Sequence, residues 1–519
     1  MLLKKHNEKF IIPFIFDDSY EEVLKKFKET RVNNDNYFRE IDELKETELH
    51  AFINRRFWSA DEGHCGIFEL NQNVSRDVYV TLYDTLQKLD IKITDVQFYV
   101  FKSGILFMVI STLYQKTEDA LTLYDVQETN AALKDLYPHK NRFLTFDKNL
   151  KLKENIPFVE SGVIGRIEKV DEVDENGVQT VLLYPALSKT AEAVNAQIQL
   201  FSDKNTKEFI SFENGLFTTI KNKPNMIKCY KQEDFCFNSI IDIILSKLEI
   251  NFSNYLSSSD EKILPKKAIL FNMNVLQGKE DVSEELFYLA NGYSHKYQYS
   301  HSKKNILTTF QNSYWMVSRE GLSNINTIVE NEDNHFLNNE FETKFNTIYL
   351  WIMLLVLHQY YGFQYFNCEL LKIYQESLKI DKSDKKKKKY DDQLGGMKKI
   401  KARGEEFMLK YSFSDISQIT HQNDIYAEMC KVYSISALIN QYKSNIEICN
   451  KMIEQKQQKT VEKKLNFITI ITTIFTTFTS ITQTLLGIVN LGDGFVQVIR
   501  IVLGIIAIIL VLLGLLKKK

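Results

Sequence analysis

Two short stretches set arginine beside tryptophan: Arg55-Arg56-Phe57-Trp58, and Trp315 followed by Arg319. A guanidinium is a planar fork of donors that pairs with phosphate or carboxylate and stacks on adenine. Arg55, Arg56, Trp58, Trp315 and Arg319 are therefore the candidate ligand-binding residues. The same arginines could instead serve structure, pairing with Asp61, Glu62 or Glu320. Other chemistry is sparse. The chain has no Gly-x-x-x-x-Gly-Lys-Ser/Thr loop, no His-Glu-x-x-His and no Cys-x-x-Cys. Glu172-Val173-Asp174-Glu175-Asn176-Gly177 has the acidity of a calcium loop, but Leu183 stands where the closing glutamate belongs, so it reads as a hairpin turn. His64-Cys65 alone does not make a metal site, and no nucleophile–base pair can be picked out. The expectation is a binding protein, not an enzyme, with no resident metal or cofactor.

The elements that must position these residues fall into an N-terminal mixed region and a C-terminal helical one. At 519 residues, 25% charged and 44% hydrophobic, the chain can bury two or three cores. A net charge of −2 gives no case for direct nucleic-acid binding. The cysteines form no close pair and read as reduced cytosolic thiols. Met1 to Lys9 is polar and basic and opens no secretory signal. Asp18–Lys28, Tyr37–Phe57, Arg76–Leu89, Leu187–Phe201 and Phe235–Leu248 read as helices. Asp95–Phe101 and Ile105–Leu113 form a hairpin around Lys102-Ser103-Gly104. Further hairpins are expected from Gly162–Val170 with Val178–Tyr184, and from Phe209–Phe212 with Leu216–Ile220, while Ala268–Leu276 is strand-like. The fold class is thus an α+β domain over 1–340, a helical stalk over 341–464 and a two-helix transmembrane hairpin over 465–516.

The apolar run Asn346–Phe366 holds His358, Gln359 and Gln364 and reads as a buried stalk helix rather than a span. Lys385–Lys389 and Gly395-Gly396 read as a solvated loop. Past Asn423 a continuous helix is expected, with Ile425, Val432, Ile439, Ile446 and Ile453 in heptad spacing. Two apolar runs follow, 465–489 and 495–516, each about 20–25 residues and so long enough for a hydrocarbon core. Lysines at both outer ends, with none in the turn between, would leave both termini cytoplasmic in a bacterial inner membrane. Thr469, Thr473, Thr476, Ser480, Gln483, Gly487 and Asn490 share one helical face, which reads either as helix packing or as a pore lining built by a ring of subunits.

A basic-ended helix, a polar first span, a short loop, an apolar second span and a terminal Lys517-Lys518-Lys519 together resemble the CorA family. That resemblance implies a homopentameric divalent-cation channel with a cytoplasmic funnel. The family's Gly-Met-Asn signature is replaced by Gly487-Ile488-Val489-Asn490, which removes the inference of magnesium selectivity. Tyr314–Leu322, Leu355–Tyr361 and Phe413–Ser417 are similar to CorA-like proteins associated with type III CRISPR systems. This second resemblance implies a channel opened by an adenine nucleotide messenger in antiviral defence. A divalent-cation transporter and a non-conducting, membrane-anchored nucleotide sensor are the alternatives. The expected partners are a lipid bilayer, further copies of the chain and the small nucleotide.

Overall fold

The computed structural model describes residues 3–488 and 498, except 33, 42–47, 59–62, 76–77, 80, 85–86, 88, 117–118, 137–143, 146–164, 174–178, 186–196, 203–205, 214–215, 220–225, 229–236, 253–266, 279–280, 296–305, 329–334 and 380–386. The described chain opens with strand β1 (Leu3–Ile15), helix α1 (Tyr20–Glu29), and the short strands β2 (Arg31–Val32), β3 (Asp35–Asn36) and β4 (Phe38–Glu40). Next come α2 (Ala51–Trp58), β5 (Cys65–Leu70), β6 (Thr81–Asp84), β7 (Leu89–Phe101), β8 (Ile105–Lys116), α3 (Leu123–Leu133) and β9 (Leu144–Thr145). β10 (Gly165–Val173), β11 (Gln179–Pro185), β12 (Gln197–Ser202), β13 (Thr206–Glu213), β14 (Leu216–Thr219) and β15 (Met226–Lys228) form a six-stranded sheet of their own. α4 (Phe237–Leu248), β16 (Ile269–Gln277), α5 (Ser283–Asn291), β17 (Ile306–Phe310), β18 (Ser313–Val317) and β19 (Gly321–Ile328) return to the main sheet. The helical part holds α6 (Phe341–Lys344) between two π-helical turns, then α7 (Leu350–Lys379), α8 (Lys387–Tyr411), α9 (Thr420–Val432) and α10 (Ile435–Ile488).

The main sheet runs β17-β18-β19-β16-β1-β8-β7-β5-β4, with β6 and β9 off that path. β1 pairs antiparallel with β16 and β8, and β16 pairs parallel with β19, so the sheet is mixed. Successive side chains of a strand point to opposite faces, and here both faces are covered. On the first face, Phe10, Ile12 and Phe14 pack with Val23 and Phe27 of α1, Val126 of α3, Ile240 and Ile244 of α4 and Leu286 of α5. On the second face, Phe271 stacks on Phe345 at 4.2 Å, Trp315 meets Tyr349 at 4.6 Å, and Tyr99 meets Trp351 edge-on at 5.0 Å. Leu350 to Leu357 of α7 are buried, which explains an apolar run of that length without a bilayer.

Two compact units emerge. One holds Met1–Tyr365 and Gly404–Ile439; the other holds Phe366–Arg403 and Asn440–Lys519. In the second unit, Tyr442 donates its hydroxyl to the Lys401 carbonyl at 3.1 Å, and Asn445 bonds Asn367 at 2.8 Å.

Several sequence expectations give way. Tyr37–Phe57 is not one helix: β4 and α2 share it, because Phe38 is needed as a strand residue beside Phe27 and Phe98. Arg76–Leu89 contains β6 rather than a helix, and Leu187–Phe201 ends in β12. Gly395 and Gly396 lie within α8. The helix expected past Asn423 breaks at Ser434, whose φ of 55° is left-handed, between α9 and α10.

The largest correction concerns the membrane. Among the described residues no helix is long and apolar enough to cross one. The run 465–489 falls at the end of α10, where threonines from Thr469 to Thr484 dilute its apolar character. The run 495–516 falls outside the described residues, apart from residue 498. This overturns the transmembrane hairpin as part of the fold class. It also overturns the description as a membrane protein and the multi-pass placement in an inner membrane.

His358 of α7 shows how tightly the first unit is packed. It stacks on Phe101 at 4.4 Å, meets Tyr411 at 4.6 Å and bonds Ser103 Oγ through Nε2 at 2.7 Å. Burial, with His64 nearby, pushes its pKa down to about 3. His6 is lowered to about 4, again chiefly by burial. As pH falls below the ordinary histidine value, the unfolded chain takes up protons that these folded imidazoles refuse, so stability is lost. In urea titrations from pH 6.5 to 4, each histidine should contribute a slope of about 1.4 kcal/mol per pH unit. His358→Phe should flatten the profile by one such slope; an unchanged profile would refute the buried neutral imidazole.

Candidate functional site

The first face of the sheet carries a polar row where apolar side chains would be expected. Strand register aligns Thr112, Glu8, Asn272 and Ser323 across β8, β1, β16 and β19, with His6 and Asn274 in the next row. Thr112, Glu8, Asn272, Asn274 and Ser323 are all buried. α3 lies over them, started by a capping box between Thr122 and Asp125. Its residues Gln127, Glu128, Thr129 and Asn130 are also buried, so this helix turns polar side chains inward.

Part of the chamber is internally satisfied. Asn130 Nδ2 donates to Glu8 Oε2 at 2.7 Å, and the Tyr114 hydroxyl donates to Asn130 Oδ1 at 2.6 Å. Asn274 Nδ2 donates to Asn272 Oδ1 at 3.3 Å, and the Tyr114 amide donates to His6 Nε2 at 2.8 Å. Among the described residues four atoms of the chamber have no hydrogen-bond partner: Glu8 Oε1, Asn272 Nδ2, Asn274 Oδ1 and Ser323 Oγ. Each such orphan costs about 1–3 kcal/mol. Burial pushes the Glu8 carboxyl well above the usual range, and Asn130 and Asn274 pull it back only in part. With His6 lowered as well, the chamber disfavours charge on both groups and favours neutral donors and acceptors. The nearby cations are engaged elsewhere: Lys116 with Asp125 at 3.2 Å, and Lys134 with Glu320 and, at 2.8 Å, the Asn291 carbonyl.

The rim is held by the segment after α5. Glu128 accepts from Ser294 Oγ and from the His295 amide, both at 2.8 Å, while the His295 ring meets the Gln127 amide oxygen.

The arginine–tryptophan candidates do not come together as one pocket. Arg56 donates to the carbonyl of Lys410 in the last turn of α8. Arg319 donates to the Val432 carbonyl and to Ser434 Oγ, each at 3.3 Å, at the end of α9. Both supply cations to helix C-termini, where the dipole favours them. Arg55 is exposed. Trp315 is buried on the second face, its Nε1 donating to Thr309 Oγ1 at 2.9 Å. The Trp58 side chain lies outside the described residues. The face expected to line a pore begins with Thr469, Thr473 and Thr476, whose hydroxyls donate to the carbonyls of Leu465, Thr469 and Thr472. Ser480 is exposed, Gln483 (its side chain outside the described set) and Gly487 belong to α10, and Asn490 lies beyond it. Among the described residues no group of His, Cys, Asp and Glu could hold a metal ion.

No protein-family model, no curated protein and no solved structure matches this chain.

The chamber makes Glu8 a test case. A carboxyl whose folded pKa is raised stabilises the fold less and less as pH rises above its unfolded value. Glu8→Gln removes that decline. The stability of Glu8→Gln relative to the parent should therefore grow between pH 5 and pH 7, at up to about 1.4 kcal/mol per unit. A constant difference in urea unfolding would show Glu8 to be ionised in place.

Proposed function

We propose that the protein is a sensor of a small adenine nucleotide, read through its base in the chamber between the sheet and α3. The observation that carries this is the set of unpartnered atoms Glu8 Oε1, Asn272 Nδ2, Asn274 Oδ1 and Ser323 Oγ. An adenine edge offers a donor beside an acceptor, which an asparagine amide matches in pairs. The uncharged character of the chamber favours a base over a phosphate. With no membrane-crossing helix among the described residues, sensing is the part of the expected sensor–channel that the reading retains. Ligand entry requires α3 and the Ser294–His295 rim to part from the sheet, so the ligand selects an opened form.

The sensor acts as an assembly of copies. Val461, Leu465, Ile468 and Phe475 of α10 are exposed and fall at spacings of four, three and seven. That is the stripe by which helices of separate chains pair in a coiled coil. Leu465→Glu with Ile468→Glu should reduce the mass found by light scattering to that of one chain, whereas an unchanged mass would remove this stripe from the interface.

Calorimetry with ATP, AMP, cyclic adenine dinucleotides and their guanine counterparts tests the ligand. One adenine compound should bind, and Asn274→Leu should weaken it at least about tenfold, one good bidentate pair being worth about 1–3 kcal/mol. Without ligand, Asn274→Leu should change the unfolding midpoint little, since removing the orphan Asn274 Oδ1 is offset by the partner lost from Asn272 Oδ1. Absence of binding by every adenine compound would overturn the proposal.

A further inference from the structure

The opposite face of the same strands carries a second arrangement that the sensing role does not use. Register places Asp95 of β7, Ser111 of β8 and Lys9 of β1 in one row on the second face. Lys9 Nζ lies 2.8 Å from Ser111 Oγ. Both side chains are more than nine-tenths buried. We propose that Ser111 and Lys9 form a nucleophile–base dyad for acyl transfer, hydrolysing an ester or amide that carries no negative charge.

One backbone irregularity falls in the row and two lie beside Glu342, whose charge acts on Lys9. β7 is bulged between Ile93 and Asp95, β1 is irregular between Leu3 and Lys5, and Glu342 sits between two π-helical turns. Bulges and π turns recur where a chain re-aims side chains at a site. The row lies at the margin of the helical cover. Toward the helices, Glu342 pairs with Lys5 and accepts from Asn7 Nδ2 at 3.3 Å. On the other side, Asp95 and Glu69 are half-buried and Arg39 is exposed, which is the side from which a substrate would have to reach the dyad. Among the described residues Asp95 Oδ1 has no hydrogen-bond partner.

A lysine becomes a general base only where its ammonium is destabilised. Burial lowers Lys9 to about 8, and Asp95 and Glu342 resist the shift only in part. Burial and Glu69 raise Asp95 to about 6, so it faces the dyad as a weak carboxylate near neutrality. The fixed charges around the row are Asp95, Glu69 and Glu342 against Lys5 and Arg39. With Lys9 in its neutral, reactive form the carboxylates outnumber the cations, which disfavours an anionic acyl substrate.

In the reaction, Ser111 Oγ bonds to the acyl carbon while its proton passes to the neutral Lys9 amine. Collapse of the adduct breaks the bond to the leaving alcohol or amine, which takes that proton from Lys9. Water then attacks the acyl-serine, giving its proton to Lys9, and Lys9 returns a proton to Ser111 as the acid departs.

A fluorophosphonate probe tests the dyad in the full-length protein: serine oxygen replaces fluoride on phosphorus, and fluoride leaves. Peptide mass spectrometry should locate the adduct on Ser111. Its rate should rise between pH 6 and 9 with a midpoint near the Lys9 value of about 8. Lys9→Arg, which keeps the charge but cannot act as a base, should slow labelling at least about a hundredfold. Ser111→Ala should abolish it with an unchanged unfolding midpoint. If that variant unfolds, Ser111→Cys treated with iodoacetamide should show a rate that falls on Lys9→Met, which removes both the base and the cation that favour the thiolate. No adduct on Ser111 at pH 9, or a rate indifferent to Lys9, overturns the proposal. Nucleotide binding at the first face is measured separately and stands or falls by its own result.

Discussion

Strand β1 is hydrogen-bonded along both edges, to β16 and β8, and its middle is buried on both faces. A strand in that position cannot expose either set of side chains, so everything beside it must supply cover. α1, α3, α4 and α5 supply it on one side. The π-helical turns, α6 and the first half of α7 supply it on the other, through Phe341, Phe345, Tyr349 and Trp351. The run Leu350–Leu357 owes its apolar composition to this duty. Gly362 serves the same packing: a Cβ there would overlap the ring of Phe407.

Parts of this were legible in the sequence. The hairpin around Lys102-Ser103-Gly104 was, because β-rich runs flank a turn in which Gly104 adopts a φ of 96°. The antiparallel pairs β10 with β11 and β13 with β14 were legible for the same local reason. α4 and the strand β16 were also within reach of periodicity. What escaped was set by distant partners. Phe38 sits in a polar neighbourhood that reads as helix, yet its place between Phe27 and Phe98 makes it a strand residue. α10 misled in the opposite way. Uncharged stretches of that length suggest a span, but length and absence of charge do not fix the solvent when so many residues are hydroxylated.

The candidate site was hidden for a related reason. Arginine beside tryptophan is visible in one dimension, and it led to helix ends and to a core indole. Glu8, Asn130, Asn272 and Ser323 are far apart in sequence, and each alone is an ordinary polar residue. Two signals existed. β1 carries Lys4-Lys5-His6-Asn7-Glu8-Lys9, polar on both faces, although it leads into an apolar run too long for an edge strand. α3 buries Gln127 to Asn130 consecutively, beside an apolar stripe of only Leu123, Val126 and Leu133. Both are local violations of patterning, and such violations concentrate where function outweighs stability.

Those violations meet in one dipeptide. Glu8 and Lys9 are successive residues of β1, so their side chains leave the same stretch of backbone toward opposite faces. Glu8 is tied to Asn130 of α3 on one side, and Lys9 to Ser111 of β8 on the other. β1 cannot slide to accommodate a change on one face, because its ladders to β16 and β8 fix the register and a slip would expose the whole core. A small tilt of the Glu8 peptide is the motion left to it. A ligand that replaces the Asn130 contact with Glu8 therefore acts on the peptide unit that carries Lys9, with no longer relay required. The effect on Ser111 would follow from geometry at hydrogen-bond scale, where a 2.8 Å contact is sensitive to a few tenths of an ångström. The sensing proposed for one face and the acyl transfer proposed for the other would thus be joined by the shortest link a sheet allows.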